Sequence, residues 1–574
     1  MKRIFSLALI ALFAVTLTIH PFVFAQQRPQ PQAPVGTTSA SKPNTESTVP
    51  GRRVTRTTSR PIPPIEREVE EALRVIQDNY IDGKKLDYNA VFKSSIIGML
   101  RSLDPHSNYY DRDEYEELKT DQRSQYFGIG ASIQNYLMGK ESDTFITATF
   151  EGSPAARAGL RFGDRIVAVD GTTMTGKSSL DVRDKIRGPR GSIVKIKLER
   201  ASDKRVEIVE LARDAVAQPS IPDAYMIKPG VGYIDMTRGF NYTTTDELEE
   251  ALTGLRARGA SSLVLDLRNN PGGFLDQAIN VAEVFLPSGQ LILTQKGRRR
   301  QQDKPHFSRN RAADPTPLVI LINEYSASAS EIVAGAMQDH DRALIVGQTS
   351  FGKGLVQSII PLDDGALTLT SAKYYTPSGR LIQRDYSDGG FYDYYTRGGS
   401  PALERKEAPP KPTGSESKTD AGRAVYGGGG IAPDEAVERR AVTNAQLRLR
   451  NPMFFFAREL MNGRIPNETR HRIDRSIGEG ELQPSGFSLD PSLYSAFKNF
   501  LATEPSWASQ MGEVERNHDF VGVELGYFLI TASSGTTKGV QFLIQNDPQV
   551  AKAIGAIPRA RKLAMGAKQD PGQP

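Results

Sequence analysis

The chain has 574 residues, in which 72 Lys and Arg oppose 67 Asp and Glu for a net charge of +5, two units of it in Lys2 and Arg3. So slight an excess over this length makes no case for nucleic acid or any other polyanion as a partner. There is no cysteine, which excludes disulfides, thiolate metal sites and a lipid-modified cysteine.

Met1-Lys-Arg-Ile-Phe5 is a short basic start, Leu7 to Val15 an apolar core and Val23-Phe-Ala25 a small-residue cleavage site. Together they predict a secretory signal over 1–25, and hence a periplasmic or secreted protein. An uncleaved anchor fits less well, because the apolar run is short for a bilayer and His20-Pro21 interrupts it. No later run is long enough to span, so no stable membrane span is expected after cleavage. Residues 26–60, rich in Pro, Gln, Ser and Thr, cannot bury enough apolar surface to order themselves and read as a linker. An N-terminal helical segment is expected over 61–118. Apolar residues at 65, 69, 73 and 76 mark one helical face, and a second helix covers 89–103. In Leu103-Asp-Pro-His-Ser-Asn-Tyr-Tyr110, His106 reads as a cap or packing residue rather than a catalyst.

Tyr126-Phe-Gly-Ile-Gly-Ala131 opens a region with a strand-like run from Thr144 to Phe150. Gly159-Leu160, Gly163-Asp164 and Val169-Asp-Gly171 follow. This spacing resembles a PDZ domain, placed over 119–213. The resemblance implies that backbone N–H groups of the loop Phe127, Gly128, Ile129 and Gly130 capture a terminal carboxylate while the peptide adds as a strand.

Gly232 to Met236 and Leu263 to Leu267 read as buried strands, with a helix from Thr245 to Arg258 between them. The second strand runs into Arg268-Asn-Asn-Pro-Gly-Gly273, whose glycines at a strand's end let backbone N–H groups approach a ligand closely. Pro317 to Asn323 is a continuous apolar run, as in a strand buried on both faces of a parallel sheet. Small residues Ser326 to Ser330 then lead into a buried helix. A serine delivered by a strand to a helix N-terminus suits a nucleophile, and Ser328 is the best placed.

A further strand, Ala343 to Val346, leads into Gly347-Gln-Thr-Ser-Phe-Gly-Lys353-Gly354. There a desolvated Lys353 could act as general base. On composition alone, a tightly packed helix start and a solvated lysine fit equally well. The glycine loop nearly spells a phosphate-binding P-loop, but Gly354 stands where Ser or Thr should bind Mg²⁺. His340-Asp341 sits on an expected helix end, which disfavours a Ser-His-Asp triad. Alternation through 230–375 implies a mixed α/β core with its site at the strand C-termini.

Ser326-Ala-Ser-Ala-Ser-Glu331, the Gly352-Lys-Gly354 motif and Gln357 together resemble the carboxyl-terminal processing proteases, the tail-specific serine proteases. Asp266-Leu-Arg-Asn-Asn-Pro-Gly-Gly273 and Tyr374 to Gly379 are similar to that family as well, as is the 103–110 segment. The resemblance implies Ser328 as nucleophile and Lys353 as its base, with Gln357 and Glu331 in support. An oxyanion hole would pair the N–H of Gly272 or Gly273 with that of Ala329. Arg187 stands where the family carries an arginine facing the protease core, a regulatory position.

The implied architecture is a mixed α/β protease core over 214–440 with an inserted PDZ domain, N-terminal helices and a mainly helical extension over 441–574. A polar insertion at 385–422 is expected to be a surface loop. The implied function is a serine endopeptidase cutting proteins or peptides near their C-termini, without metal, nucleotide or other cofactor. The alternative is a PDZ scaffold on an inactive core, disfavoured by intact Ser328, Lys353 and Gln357. A homo-oligomer or an adaptor protein stays open, as does whether the PDZ domain inhibits or activates.

Overall fold

The computed structural model describes residues 62–138, 141–299, 303–387, 394–395, 414–468, 471 and 487–566. The expected signal segment and linker, and most of the 385–422 insertion, lie outside the described residues. Up to Leu103 the described chain forms one compact unit, and from Asp104 onward another.

The first unit holds the helices Ile62–Asn79 and Tyr88–Arg101, close to the two predicted. Asp87 caps the second by accepting the Ala90 N–H at 3.1 Å.

In the second unit, a six-stranded sheet runs Asp223–Lys228, Val231–Asp235, Ser262–Asp266, Leu318–Ile322, Ala343–Gly347, Glu435–Ala436. The first pair is antiparallel and the rest are parallel. Side chains alternate along each strand. Leu318, Ile320 and Ile322 point to one face, under the helices Thr244–Ala257, Leu275–Phe285 and Ala329–Asp339. Val319 and Leu321 point to the other, beneath Val540, Ile544, Val550, Ala553, Ala556, Ile557 and Ala560. Those residues belong to the helices Thr536–Gln545 and Pro548–Gly566 of the C-terminal extension. Parallel strands without intervening polar positions need exactly this double cover.

Beside this lies a second sheet, with Gly365–Tyr375 at its centre between Leu355–Leu362 on one side and Asn108–Tyr110 and Leu291–Gly297 on the other. Within the expected PDZ region a sheet is ordered Ala131–Met138, Glu141–Thr149, Arg165–Val169, Ile193–Glu199, Val206–Ala212, which leaves Ala131–Met138 at an edge. The helix Ser179–Ile186 closes its core through Val182 and Ile186.

The extension is helical, and its first part takes PDZ residues into its own core. Tyr136, Phe145 and Phe162 cluster with Phe454, Phe455, Phe497, Trp507 and Phe528. The Tyr136 and Phe454 rings stack at 3.7 Å. One extension therefore packs on both the sheet of the expected PDZ region and the six-stranded sheet.

Among the described residues of the expected surface loop, Tyr394 is buried against Phe351 and Ala327, and Glu416–Lys418 pairs with Ala424–Tyr426, which lies just beyond it. A phenol ring in a loop still moves to apolar cover, because its large apolar body gains from burial while its hydroxyl keeps a hydrogen-bond partner.

Candidate active site

The strand Leu318–Ile322 ends at Asn323, whose side chain fixes the turn that follows. Its Oδ1 accepts the N–H groups of Asn269 at 2.9 Å and Tyr325 at 3.1 Å. Ser326 Oγ donates to the Leu267 carbonyl at 2.7 Å, and the Ala327 N–H donates to the Asn270 carbonyl at 2.9 Å. The turn is thus stitched to the end of the neighbouring strand, and Ser328 is delivered to the start of the helix Ala329–Asp339. Ser328 has φ 55° and ψ −113°, a conformation a non-glycine residue holds only under constraint. Such a turn aims a serine hydroxyl outward from a strand-to-helix junction.

Glu331, fully buried on that helix, ties this turn to the glycine loop. It accepts the N–H groups of Ser328 at 2.8 Å, Gly352 at 2.6 Å and Lys353 at 2.9 Å, and the Ser350 hydroxyl at 2.5 Å. Burial pushes its carboxyl above the usual range, while these donors favour the ionised form. The main chains of Ser328 and Lys353 are therefore held by one carboxylate. Burial pushes the Lys353 amine down to about 8, against the opposing charges of Glu331 and Asp104. Nζ shares no hydrogen bond with Ser328 among the described residues and donates instead to Gln357 Oε1 at 2.9 Å. Gln357 Nε2 in turn donates to the His106 carbonyl at 2.5 Å.

Gly272 packs on the Ser328 turn: at φ 97°, a Cβ there would stand 2.7 Å from the Ser328 Cβ and 2.9 Å from the Ala329 nitrogen. Of the two glycines expected at the oxyanion, however, Gly272 has its N–H engaged by Asn270 Oδ1 at 2.9 Å. A side chain two residues upstream closes that turn, which leaves Gly273 and Ala329. Neither of their N–H groups donates to an acceptor among the described residues.

The sequence profile of peptidase family S41 matches residues 230–389, and that of a PDZ domain residues 145–200. A carboxy-terminal-processing protease of Bartonella bacilliformis is 37% identical over 306 residues, 52% of this chain and 68% of that protein. The chain belongs to this family. It is a serine-type peptidase. A probable CtpA-like serine protease of Staphylococcus haemolyticus is 34% identical over 319 residues, 55% of this chain and 62% of its own length. Among solved structures, the photosystem II D1 C-terminal processing protease is 30% identical with a TM-score of 0.30, covering 54% of this chain and 88% of that one.

In the PDZ domain of this protease, Phe127 and Gly128 lie in the strand Gln125–Gly128, paired with Asp214–Ala217. Ile129 and Gly130 follow it with N–H groups that meet no acceptor among the described residues. Gly130, at φ 72°, has no room for a Cβ beside Ser153. Arg187 Nη1 contacts Glu117 at 3.0 Å, and its guanidinium lies 4.7 Å from the centre of the Tyr126 ring. Glu117 is on the helix Arg112–Asp121, which packs on the core strand Gly365–Tyr375. His340 is remote from this chemistry, with Nδ1 2.7 Å from Asp420 and Nε2 2.7 Å from the Leu291 carbonyl.

Sequence reasoning missed Asn270, whose side chain and carbonyl tie the glycine turn to the serine turn, although it stands inside the Arg268–Gly273 motif. It also missed that His106 serves through its carbonyl. Membership of a motif was the available signal in both cases.

Proposed function

We propose that this protease is a secreted endopeptidase with a Ser328–Lys353 dyad that cuts proteins near their C-termini. The observation that carries the reading is the clamp by Glu331, which fixes the main chains of a strained serine and of a lysine whose amine is held near neutrality. With the amine at about 8, roughly a tenth is unprotonated at pH 7. Deprotonated Lys353 takes the Ser328 proton as Oγ attacks the scissile carbonyl, and it then protonates the leaving amine. The N–H groups of Gly273 and Ala329 hold the oxyanion. Water, deprotonated by the same amine, releases the acyl group. The PDZ loop at Ile129 and Gly130 takes the substrate's terminal carboxylate, with Arg187 linking that domain to the core.

Ser328→Ala and Lys353→Ala should each lower kcat for an unfolded protein substrate by about 10⁴ or more, and the double variant should be little worse, because the pair acts as a unit. Lys353→Arg should be equally inactive, since a guanidinium stays charged. Retained activity in Lys353→Ala would refute the dyad. Amidating the substrate's C-terminus should weaken cleavage if the PDZ loop reads the tail. Secretion predicts a mature chain beginning at Gln26 in the periplasmic or extracellular fraction.

A further inference from the structure

Tyr394 and Tyr395, two aromatics within the polar insertion, meet His106 from two sides. Tyr394 Oη lies 2.7 Å from His106 Nε2, and Tyr395 Oη lies 3.3 Å from Nδ1. The other contacts of these hydroxyls assign the protons. Tyr394 Oη accepts from Gln383 Nε2 at 3.1 Å, so its own proton goes to Nε2. Tyr395 donates to the Pro105 carbonyl at 2.7 Å, so its oxygen accepts from Nδ1–H. His106 is then neutral with one tautomer, in keeping with burial that pushes it down to about 2. Phe351 stands edge-on to the same ring, 6.3 Å between centres, and the Arg384 guanidinium covers Phe351 and Tyr394 at 3.9 and 4.5 Å.

The main chain of His106 is fixed on its other side. Asp104 Oδ1 accepts the N–H groups of His106 and Ser107, each at 2.8 Å. With ring and nitrogen both held, the His106 carbonyl has one direction, and Gln357 Nε2 donates to it at 2.5 Å. This contact decides which end of a side-chain amide faces Lys353. Only with Nε2 committed to the carbonyl does Oε1 point at Nζ, where it accepts at 2.9 Å. A flipped amide would set a donor against an amine.

We propose that Tyr394 and Tyr395 are positioning residues for the general base, acting through His106 and the amide of Gln357. The proposal deepens the dyad reading and rests on Lys353 being the base. The insertion of this chain thereby becomes part of the machinery that sets the base, rather than a surface ornament. The charged or titratable groups around the amine are Glu331, Asp104, His106 and, beyond it, Arg384. Burial raises both tyrosines, Tyr394 to about 12, so neither titrates in the working range.

The test is kcat/KM against pH for the full chain and its Tyr394→Phe and Tyr395→Phe variants, using a quenched fluorescent peptide with a free carboxyl end. The wild-type rate should climb around pH 8 as Lys353 deprotonates. Tyr394→Phe should lower kcat about 10-fold with KM within about 2-fold, and move the climb upward by about half a pH unit or more. A loosened Gln357 admits water to Nζ and relieves the desolvation that depresses the amine. Tyr395→Phe, which loses the longer contact, should show the same pattern more weakly. In a Gln357→Ala background, Tyr394→Phe should add almost nothing. An unmoved climb, or a loss that adds fully to Gln357→Ala, would overturn the proposal. Activity retained in Lys353→Ala would instead remove the dyad on which it stands.

Discussion

The central sheet buries both faces, and the two are covered in opposite ways. One face, carrying Ile234, Leu265 and Ile320, is roofed by helices that arise between its own strands, each within the stretch from Thr244 to Asp339. The other, carrying Tyr233, Val264 and Leu344, waits for helices that begin only at Thr536. The candidate site belongs to the first. The strand-to-helix junctions of that face place backbone N–H groups and Ser328 at the strand ends, which a helix added from afar cannot do. The second face needs only small and apolar residues at helical spacing, and Ala553, Ala556 and Ala560 let the last helix lie close.

The largest effect should come from stripping the second face. A chain ending before Thr536 would expose its buried Val, Leu and Tyr side chains, each worth about 1.5–3 kcal/mol when covered. Against a net stability of about 5–15 kcal/mol this is decisive. Expression should yield aggregated protein with no cooperative thermal transition. A soluble, active truncation would show that the sheet needs only one cover.

Glu331→Gln probes the first face. The amide offers its own NH₂ to a site lined by the N–H groups of Ser328, Gly352 and Lys353 and the Ser350 hydroxyl. Some of these donors must lose their acceptor, at about 1–3 kcal/mol each. The variant should melt lower and lose at least about 100-fold in kcat, because the turns bearing Ser328 and Lys353 are no longer pinned together. A normal rate at an unchanged Tm would show that the clamp is dispensable.

The faces also differ in how much could be read in advance. Strand 318–322 was legible because every residue is apolar, and the approach of the Ser328 turn to the glycine loop because Ser326 to Glu331 and Gly352 to Gly354 are motif residues whose spacing survives folding. The cover of the second face was not. Val540, Ile544, Ala553 and Ala556 lie about 220 residues beyond Val319 and Leu321, the strand residues they cover, and helical periodicity names a face without naming its neighbour. Tyr394 escaped because the Pro-, Lys- and Glu-rich stretch over 385–422 reads as a loop, and no periodicity within it marks a buried ring. Gly272 was read by its kind rather than its bonds, and only the structure reveals that Asn270 has claimed its N–H.

Lys353→Met sharpens the contrast, because it removes a buried charge from the candidate site. The buried amine has its folded-state value depressed to about 8 from 10.5. Below about pH 8 it is charged in both states, and the folded protein bears the full penalty of burying that charge. As pH rises from about 8 to 10.5 the folded state sheds its proton first and the penalty fades, so the wild type gains relative stability over that window. Lys353→Met should therefore be inactive yet more stable at pH 7, by about 1–3 kcal/mol, with the advantage shrinking toward pH 10. A Tm difference that is flat across this range would contradict a strained amine.

The smallest effect belongs to a polar link between the last helix and the glycine motif. Arg268, at the head of the glycine motif, donates through Nη1 to Asp547 Oδ2 at 2.7 Å and Gln549 Oε1 at 2.9 Å, at the start of the last helix. Asp547 also caps that helix, accepting the Gln549 N–H at 2.7 Å. Asp547→Ala removes both roles and should cost about 1–2 kcal/mol, whereas Asp547→Asn keeps a capping oxygen and should cost less. Neither should change kcat by more than about 2-fold. Asp266 still grips Arg268 through Nε and Nη2, at 2.9 and 2.6 Å, and it ends the strand Ser262–Asp266 that leads into the motif. The expected result is a loss of Tm without a loss of rate, the signature of a cover that supports the site but takes no part in it. A fall in kcat larger than the fall in stability would mean that the last helix reaches the oxyanion turn through Arg268, and the division between the two faces would no longer hold.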